Sequence, residues 1–176
     1  IEKVCFSLQE IINELSLEQT KQLINNFSCK FDKDIEIFFK DKSLLFQQKN
    51  KAKTYLILDN DKLEQGEFSI LAYFALSTKV LHLPDELSKS QRKKIDGLYN
   101  SISEISTFLI GQIAKNDLNK NKISGKEILK YACSYIEEVS NIIGGRIILV
   151  ELKNNENLIN FYINNGFSLL HNKTEN

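Results

Sequence analysis

The sequence predicts an α+β fold, with helices in its N-terminal third and a sheet in the remainder. Three observations support this prediction. Apolar residues recur at helical spacing over about 7–50. Two short apolar runs separated by a polar turn occupy 54–76, and two further apolar runs flank an amphipathic helix between 105 and 152.

The N-terminal third reads as three helical stretches. A helix-spaced apolar set runs from Leu8 to Leu15, and Ser16 is a good cap for a second helix that continues to Phe27. A third stretch covers about 34–48. The apolar faces of these helices are typical of surfaces that pack against a core rather than bind a ligand.

In the middle of the chain, the spacing of the apolar residues changes from that of helices to that of β-strands. The runs 54–58 and 68–76, with Gly66 in the polar turn between them, predict an antiparallel hairpin. Pro84 then opens a polar region that contains a short helix at about 88–95. No repeat or low-complexity linker divides the chain, so we expect one domain over 1–176, with a helical part at about 7–50 and a core at about 53–170.

The last third predicts a parallel strand–helix–strand unit, because a crossover of this length is right-handed and returns to the same sheet. Gly144-Gly145 and Gly166 end its two helices. The expected elements are a strand at 105–114, a helix at 128–143, a strand at 146–152, a helix at 155–165 and a final strand at 167–170.

Composition argues against several classes of function. Lys+Arg and Asp+Glu are equal at 23 each, so no overall basic field attracts nucleic acid, although the Lys-rich run at 115–126 is a local patch. Three scattered cysteines and two histidines (Cys5, Cys29, Cys133, His82 and His171) argue against a disulfide framework, a zinc site or a nucleophilic triad. No apolar run approaches the roughly 20 residues of a membrane helix. We therefore expect a cytoplasmic protein without a metal.

The loop at 115–127 joins a predicted strand to a helix N-terminus. Ser124 and Glu127 have the spacing of a capping box, and Gly125 leaves the first helical turn open to approach. Helix N-termini of this kind hold anions, and the loop lysines add positive charge. A P-loop is excluded because position 120 is Lys and Glu127 replaces the required Ser/Thr. On these residues alone, a solvated capped loop and a phosphate site are equally open.

Two motifs in this region resemble those of the GNAT acetyltransferases. The stretch from Leu109-Ile-Gly-Gln-Ile-Ala-Lys115 to Ile128-Leu129 is similar to the family's signature strand, pyrophosphate loop and helix. The loop pattern Arg/Gln-x-x-Gly-x-Gly/Ala falls on Lys120, Ile123 and Gly125, where only the second glycine is kept. The second motif is Asn155-Glu-Asn-Leu-Ile-Asn-Phe-Tyr162-Ile-Asn-Asn-Gly166-Phe167, which has the family's Asn, Tyr, Gly and Phe at their offsets.

The resemblance implies three α/β/α layers around a mixed, mostly antiparallel sheet, and an enzyme that moves an acetyl group from acetyl-CoA directly to a primary amine of a small molecule or protein. Backbone groups of Ile113 and Lys115 would hold the pantetheine arm, 121–126 the pyrophosphate, and Asn155 would contact the cofactor. The full set of implied cofactor-binding residues is Ile113, Ala114, Lys115, Lys120, Asn121, Lys122, Ile123, Ser124, Gly125, Lys126 and Asn155.

The same resemblance implies that Tyr162 is the general acid, since a phenol can protonate a departing thiolate. On composition alone, Tyr162 would more simply pack beside Phe161. Glu151 and Glu67 are both open as candidates for the general base.

Two alternatives remain open. Ile123 in the pyrophosphate loop favours a GNAT-fold module that binds acyl-CoA or a protein with little catalysis. A toxin-type acetyltransferase acting on aminoacyl-tRNA, with an antitoxin partner, fits the size and the loop, although the balanced charge argues against it. The acceptor, the acyl-chain preference and the choice between monomer and homodimer are left open.

Overall fold

A single mixed sheet organises the protein. The computed structural model describes residues 1–170, so His171 and the expectations beyond it lie outside the described residues. The strands occur in the sheet in chain order and pair antiparallel, except for the last pair, which is parallel. They are β1 (Lys3–Ser7), β2 (Lys53–Asp59), β3 (Ile70–His82), β4 (Glu104–Lys115) and β5 (Ile148–Leu149).

Most of the helices lie where the helical spacing predicts them, and the exception is a short helix within the predicted polar turn of the hairpin. Those before β2 are α1 (Leu8–Leu15), α2 (Leu17–Asn25), α3 (Lys33–Ile37), a π-helical turn (Phe38–Lys42) and α4 (Ser43–Gln48). Those after it are α5 (Asn60–Leu63), α6 (Lys89–Asp96), a 3-10 turn (Asp117–Asn119), α7 (Gly125–Ile143) and α8 (Glu156–Asn164).

Each face of the sheet carries its own hydrophobic core. Alternation along β2 sends Leu56 and Leu58 into a core shared with α1–α4, while Ile57 enters a second core shared with α7 and α8. The aromatic centre of the first core is Tyr73, whose ring stacks on Phe39 at 4.2 Å between centroids. This α/β/α layering confirms the predicted fold class.

The helix starts follow the predicted capping chemistry. Ser16 accepts a hydrogen bond from the Gln19 N–H at 3.2 Å. Ser124 Oγ accepts from the Glu127 N–H at 3.2 Å, and Glu127 Oε2 accepts from the Ser124 N–H at 2.7 Å, which completes the capping box at the start of α7. Glu127 also pairs with Lys3 of β1 at 2.8 Å, so the cap ties the edge of the sheet to α7.

Three elements differ from the sequence prediction. The strand β1 was missed, because it is only five residues long and runs directly into the cap of α1 at Ser7. The predicted strand 146–152 is reduced to Ile148–Leu149. Residues 167–170, expected as a final strand, form none; Phe167 instead packs edge-on against Tyr162, with ring centroids 5.3 Å apart.

None of the helices within residues 1–170 is long and apolar enough to cross a membrane.

The Glu127 cap predicts a specific pH dependence of stability. Hydrogen bonds from Lys3 and from Ser124 lower the pKa of Glu127 from 4.5 to about 2. Its stabilising effect is therefore complete above pH 4.5 and is lost as the pH falls toward 2. We expect Glu127→Gln to lower the free energy of unfolding at pH 7 by about 0.3–1 kcal/mol, and this difference should stay constant down to about pH 4.5 and shrink below it.

Urea unfolding of both proteins at several pH values between 7 and 3 measures this difference. Glu137→Gln is the matched control, because Glu137 is exposed on the same helix and makes no ion pair within the described residues. A difference that stays constant down to pH 3 would contradict the assigned role of Glu127.

Candidate functional site

A gap opens between β4 and the chain that follows β5. The two strands pair only at Phe108 with Ile148 and at Leu109 with Leu149. Beyond Leu109, the edge of β4 that faces β5 has no strand partner in the described structure, while its other edge stays paired with β3 as far as Lys115. We call the space between residues 110–115 of β4 and the chain after Leu149 the wedge.

An extra residue in β4 decides which backbone groups face the wedge. Leu76 pairs with Ile110, but Ala75 pairs with Gln112, so Gly111 is a β-bulge. The Phe108 N–H points to the β5 side, where it donates to the Ile147 carbonyl at 2.9 Å. Eight residues later, regular alternation would point the Asn116 N–H to the same side.

The Asn116 N–H instead donates to Leu71 of β3 at 2.8 Å. The bulge has therefore reversed the alternation, and the backbone N–H and C=O groups of Ile113 and Lys115 face the wedge, whereas those of Ala114 face β3. The positions of the side chains support this reversal. Ile110 and Ile113 both contact the core that the sheet shares with α7 and α8 (the α7 core), whereas Ala114 lies in the core shared with α1–α4.

Asn116 fixes the loop that leaves β4. Its buried side chain accepts from the Ser28 N–H at 3.2 Å and the Leu118 N–H at 3.3 Å, and donates to the Ile70 carbonyl at 2.9 Å. The sequence analysis missed this role. An Asn-Asp pair directly after a strand was the available signal, because Asx side chains bond the backbone two residues on.

The loop then delivers the N-terminus of α7 to the end of the wedge. Within residues 1–170, the backbone N–H groups of Ile123, Gly125 and Lys126 have no hydrogen-bond acceptor, as expected for the end of a helix. The Ile123 side chain is only 4% exposed and packs into the α7 core. Ile123 therefore anchors the loop where the family pattern has glycine.

The absence of a side chain at Gly125 makes room for Phe161 of α8. A Cβ atom at this position would lie 3.2 Å from Cζ of Phe161, a contact tighter than side chains normally make. The missing side chain therefore lets α8 approach the first turn of α7. This contact brings the start of α7 and the Phe161–Tyr162 segment of α8 to the same place.

The loop lysines are not equivalent. The Lys122 ammonium lies 3.7 Å from a carboxylate oxygen of Asp59, a buried residue at the end of β2. Lys120 and Lys126 are exposed and make no ion pair within the described residues. Asn121 and Ser124 are also exposed, and the Ser124 hydroxyl is occupied by the capping box.

Tyr162 is almost fully buried on α8, with 4% of its surface exposed. Its ring packs edge-on between Phe161, at 5.0 Å, and Phe167, at 5.3 Å. Burial raises the pKa of Tyr162 to about 12, with a smaller contribution from Cys133, so the hydroxyl is protonated at neutral pH. The hydroxyl makes no hydrogen bond within residues 1–170, yet it is not among the polar atoms that are fully sealed from solvent.

The remaining candidates are occupied elsewhere. The Asn155 side-chain oxygen caps α8 by accepting from the Asn157 N–H at 3.0 Å and the Leu158 N–H at 3.2 Å. The two open candidates for a base are in ion pairs, Glu151 with Lys79 and Glu67 with Lys62. In the part of the chain that the structure describes, no group of His, Cys, Asp or Glu side chains forms a potential metal site.

These parts together fit one class of ligand. An open strand edge can pair with the amides of an extended arm, and free N–H groups at a helix N-terminus bind phosphate oxygens. A ligand that carries both, in this order, is the acyl-CoA type. The donor set of the wedge and the α7 N-terminus has the chemistry that such a ligand requires.

Comparison with known proteins identifies the architecture of the chain. No protein-family model matches the sequence. The uncharacterized protein MJ1433 of Methanocaldococcus jannaschii is 32% identical over 103 residues, which cover 57% of this chain and 40% of that protein. The chain thus spans well under half of this curated relative.

Solved structures match over nearly the whole chain. The complex of AtaT with acetyl-methionyl-tRNAfMet has a TM-score of 0.74 at 19% identity, covering 99% of this chain and 92% of AtaT. A tyrosine-to-phenylalanine mutant of KacT has a TM-score of 0.73 at 17% identity, covering 100% and 92%. AtaTR bound with acetyl-CoA has a TM-score of 0.71 at 19% identity, covering 99% and 91%.

AtaT is a toxin, and AtaT and KacT both have the GNAT fold. Sequence identities this low carry the architecture alone. The bulged β4, the parallel β4–α7–β5 unit and the full-length match agree with one another, and the chain has the GNAT fold.

Proposed function

We propose that the chain is an N-acetyltransferase that moves an acetyl group from acetyl-CoA directly to a primary amine. The observation that carries the proposal is the open edge of β4, which is followed along the chain by the free N–H groups at the start of α7, where Phe161 of α8 packs against Gly125. We further propose that 1–176 form one domain, working in the cytoplasm as a monomer or homodimer.

In this proposal the wedge holds the cofactor arm. The backbone of Ile113 and Lys115 pairs with the pantetheine amides, and the N–H groups of Ile123, Gly125 and Lys126 bind the pyrophosphate. Lys120 and Lys126 supply positive charge there, since their ammonium groups are free in the described structure. Lys122 contributes less to phosphate binding, because its charge is shared with Asp59.

Acetyl-CoA supplies an activated acyl group and a thiolate leaving group. The protein contributes orientation, which by itself accounts for a large part of the acceleration in such transfers. The Tyr162 hydroxyl retains its proton at neutral pH and is the donor that we assign to the leaving sulfur. A pKa of about 12 makes complete proton transfer to a thiolate unfavourable, so we assign Tyr162 first as a hydrogen-bond donor that stabilises the developing charge.

A second candidate is a toxin-type acetyltransferase whose acceptor is the α-amino group of an aminoacyl-tRNA. The observation that favours it is the extent of the structural match. AtaT in its complex with acetyl-methionyl-tRNAfMet covers 99% of this chain, which includes the N-terminal helices that the sequence analysis left without a function. The equal numbers of basic and acidic residues require local rather than overall positive charge for RNA binding. An antitoxin is the partner that this candidate implies.

Tyr162→Phe tests the assignment of the donor. We expect kcat to fall by about 10²–10³-fold, the effect of losing one such hydrogen-bond donor, while the dissociation constant for acetyl-CoA, measured by calorimetry, stays unchanged. Because the hydroxyl makes no hydrogen bond within the described residues, the melting temperature should also stay unchanged. Tyr131→Phe, which removes a hydroxyl from the opposite side of α7, is the matched control.

The pH profile of the wild-type protein provides an independent check. Tyr162 is protonated below about pH 12, so it should cause no loss of kcat between pH 7 and 10, where the acceptor amine becomes a better nucleophile. A falling limb in this range that disappears in Tyr162→Phe would contradict the raised pKa.

Acceptor class separates the two candidates. We expect the purified chain, given labelled acetyl-CoA and bulk aminoacyl-tRNA, to label the RNA fraction, and we expect its expression in bacteria to stop growth unless Tyr162 is replaced by Phe. Labelling of small amines or proteins with no labelling of RNA would rule out the toxin candidate and leave the acetyltransferase proposal intact. Absence of acetyl-CoA binding would rule out both.

A further inference from the structure

The segment at residues 28–34, which leads from α2 into the first two residues of α3, crosses one end of the wedge. We call it the 28–34 loop. Its first part bonds to the residues that follow β4, and its last part bonds to the connection between β5 and α8. It therefore joins the two sides of the wedge, although it belongs to the N-terminal helical part of the chain.

The first anchor is a set of hydrogen bonds to Asn116 and Asp117. The Asp117 N–H donates to the Ser28 carbonyl at 2.8 Å, and a carboxylate oxygen of Asp117 accepts from the Lys30 N–H at 2.7 Å. Between them, Cys29 is buried and its N–H donates to Glu36 at 2.8 Å. The loop backbone is thus fixed at each of its first three residues.

The second anchor is an ion-pair triad. The Lys153 ammonium lies 3.1 Å from a carboxylate oxygen of Asp32 and 2.9 Å from one of Asp34. Asp32 also accepts from the Asp34 N–H at 3.0 Å as the cap of α3. Lys153, which lies between β5 and α8, therefore balances one of the two negative charges of these carboxylates.

Between these two anchors the loop holds an aromatic side chain in solvent. Phe31 is 69% exposed, although the residues on both sides of it are fixed. Lys30 and Lys33 are also exposed and flank it. A single exposed apolar residue is ordinary on a protein surface. A phenyl ring on a backbone fixed at both ends, with an exposed lysine on either side of it and at one end of the wedge, has the composition of a stacking platform for a nucleobase.

We propose that Phe31 stacks on a nucleobase near the 3′ end of the RNA acceptor, while Lys30 and Lys33 contact its phosphates. The inference rests on the aminoacyl-tRNA form of the proposed function. It assigns acceptor recognition to the 28–34 loop, which is hydrogen-bonded to Asn116 and Asp117 at the start of the proposed cofactor-binding loop. It also gives the RNA two exposed cations, Lys30 and Lys33, in a chain with no net charge.

Stacking of one base on an aromatic side chain changes RNA affinity by about 5- to 150-fold. We therefore expect Phe31→Ala to raise KM for aminoacyl-tRNA by about that factor, with acetyl-CoA binding unchanged. Phe31→Trp should preserve the low KM, because the larger ring also stacks. Tyr99→Ala is the control for exposed aromatics, since Tyr99 is 64% exposed beside α6 and away from the wedge.

The absence of tryptophan from the sequence allows a direct measurement. In Phe31→Trp the only indole lies at the proposed platform, so titration with uncharged tRNA should quench its fluorescence in a saturable manner, and high salt should weaken the effect. In Tyr99→Trp the same titration should leave the emission unchanged. Filter binding of labelled tRNA to the wild-type chain provides the reference affinity.

The outcomes separate this inference from the function on which it rests. If the wild-type chain acetylates aminoacyl-tRNA but Phe31→Ala has an unchanged KM, or the indole of Phe31→Trp is not quenched while tRNA binds, the platform is wrong and the RNA acceptor stands. If the wild-type chain neither binds tRNA nor acetylates it, both the RNA acceptor and the platform are wrong. An equal KM increase with an aminoacyl methyl ester, which has no base, would also overturn the stacking role.

Discussion

The extra residue at Gly111 in β4 determines what the site can do. Without this bulge, the strand would turn the backbone groups of Ile113 and Lys115 toward β3, where they would be satisfied within the sheet. With the bulge, the unpaired N–H and C=O groups of these two residues face the wedge, because the pairing of β4 with β5 ends at Leu149. An unsatisfied strand edge beside a packed core is unfavourable unless water or a ligand completes it. The fold therefore keeps an open strand edge in the middle of the sheet, where we propose that the ligand binds.

The two faces of the sheet serve this edge in different ways. The core on the α7 side brings Gly125, Phe161 and Tyr162 together, so that the start of one helix and the middle of another meet at the end of the wedge. The core on the other side supports α3, and with it the 28–34 loop. The cofactor and acceptor sides of the proposed reaction thus depend on separate hydrophobic cores on the two faces of the sheet.

The sequence predicted the parts of the fold that depend on strong local patterns. The caps at Ser16 and Ser124, the hairpin and the long amphipathic helix α7 are visible because a few neighbouring residues determine them. The strand β1 was not, since it is short and gains its stability from pairing with β2, which lies beyond four intervening helices in the chain. The anchoring roles of Asn116 and Lys153 are equally non-local, because their partners lie on distant segments. For the site, motif spacing indicated the positions, but only the coordinates revealed that Ile123 points into the core and that Lys122 is paired.

The buried Ile123 side chain has a thermodynamic consequence. A glycine at this position would leave the loop free to sample many conformations, and ordering it would reduce the free energy available from phosphate contacts. Here the loop is held by a core contact that exists before any ligand arrives. Ligand binding to such a preorganised loop buries little additional apolar surface, so its heat-capacity change should be small and its enthalpy should report mainly the new polar contacts. Ile123, where the family pattern has glycine, thus makes the loop more rigid than a glycine would.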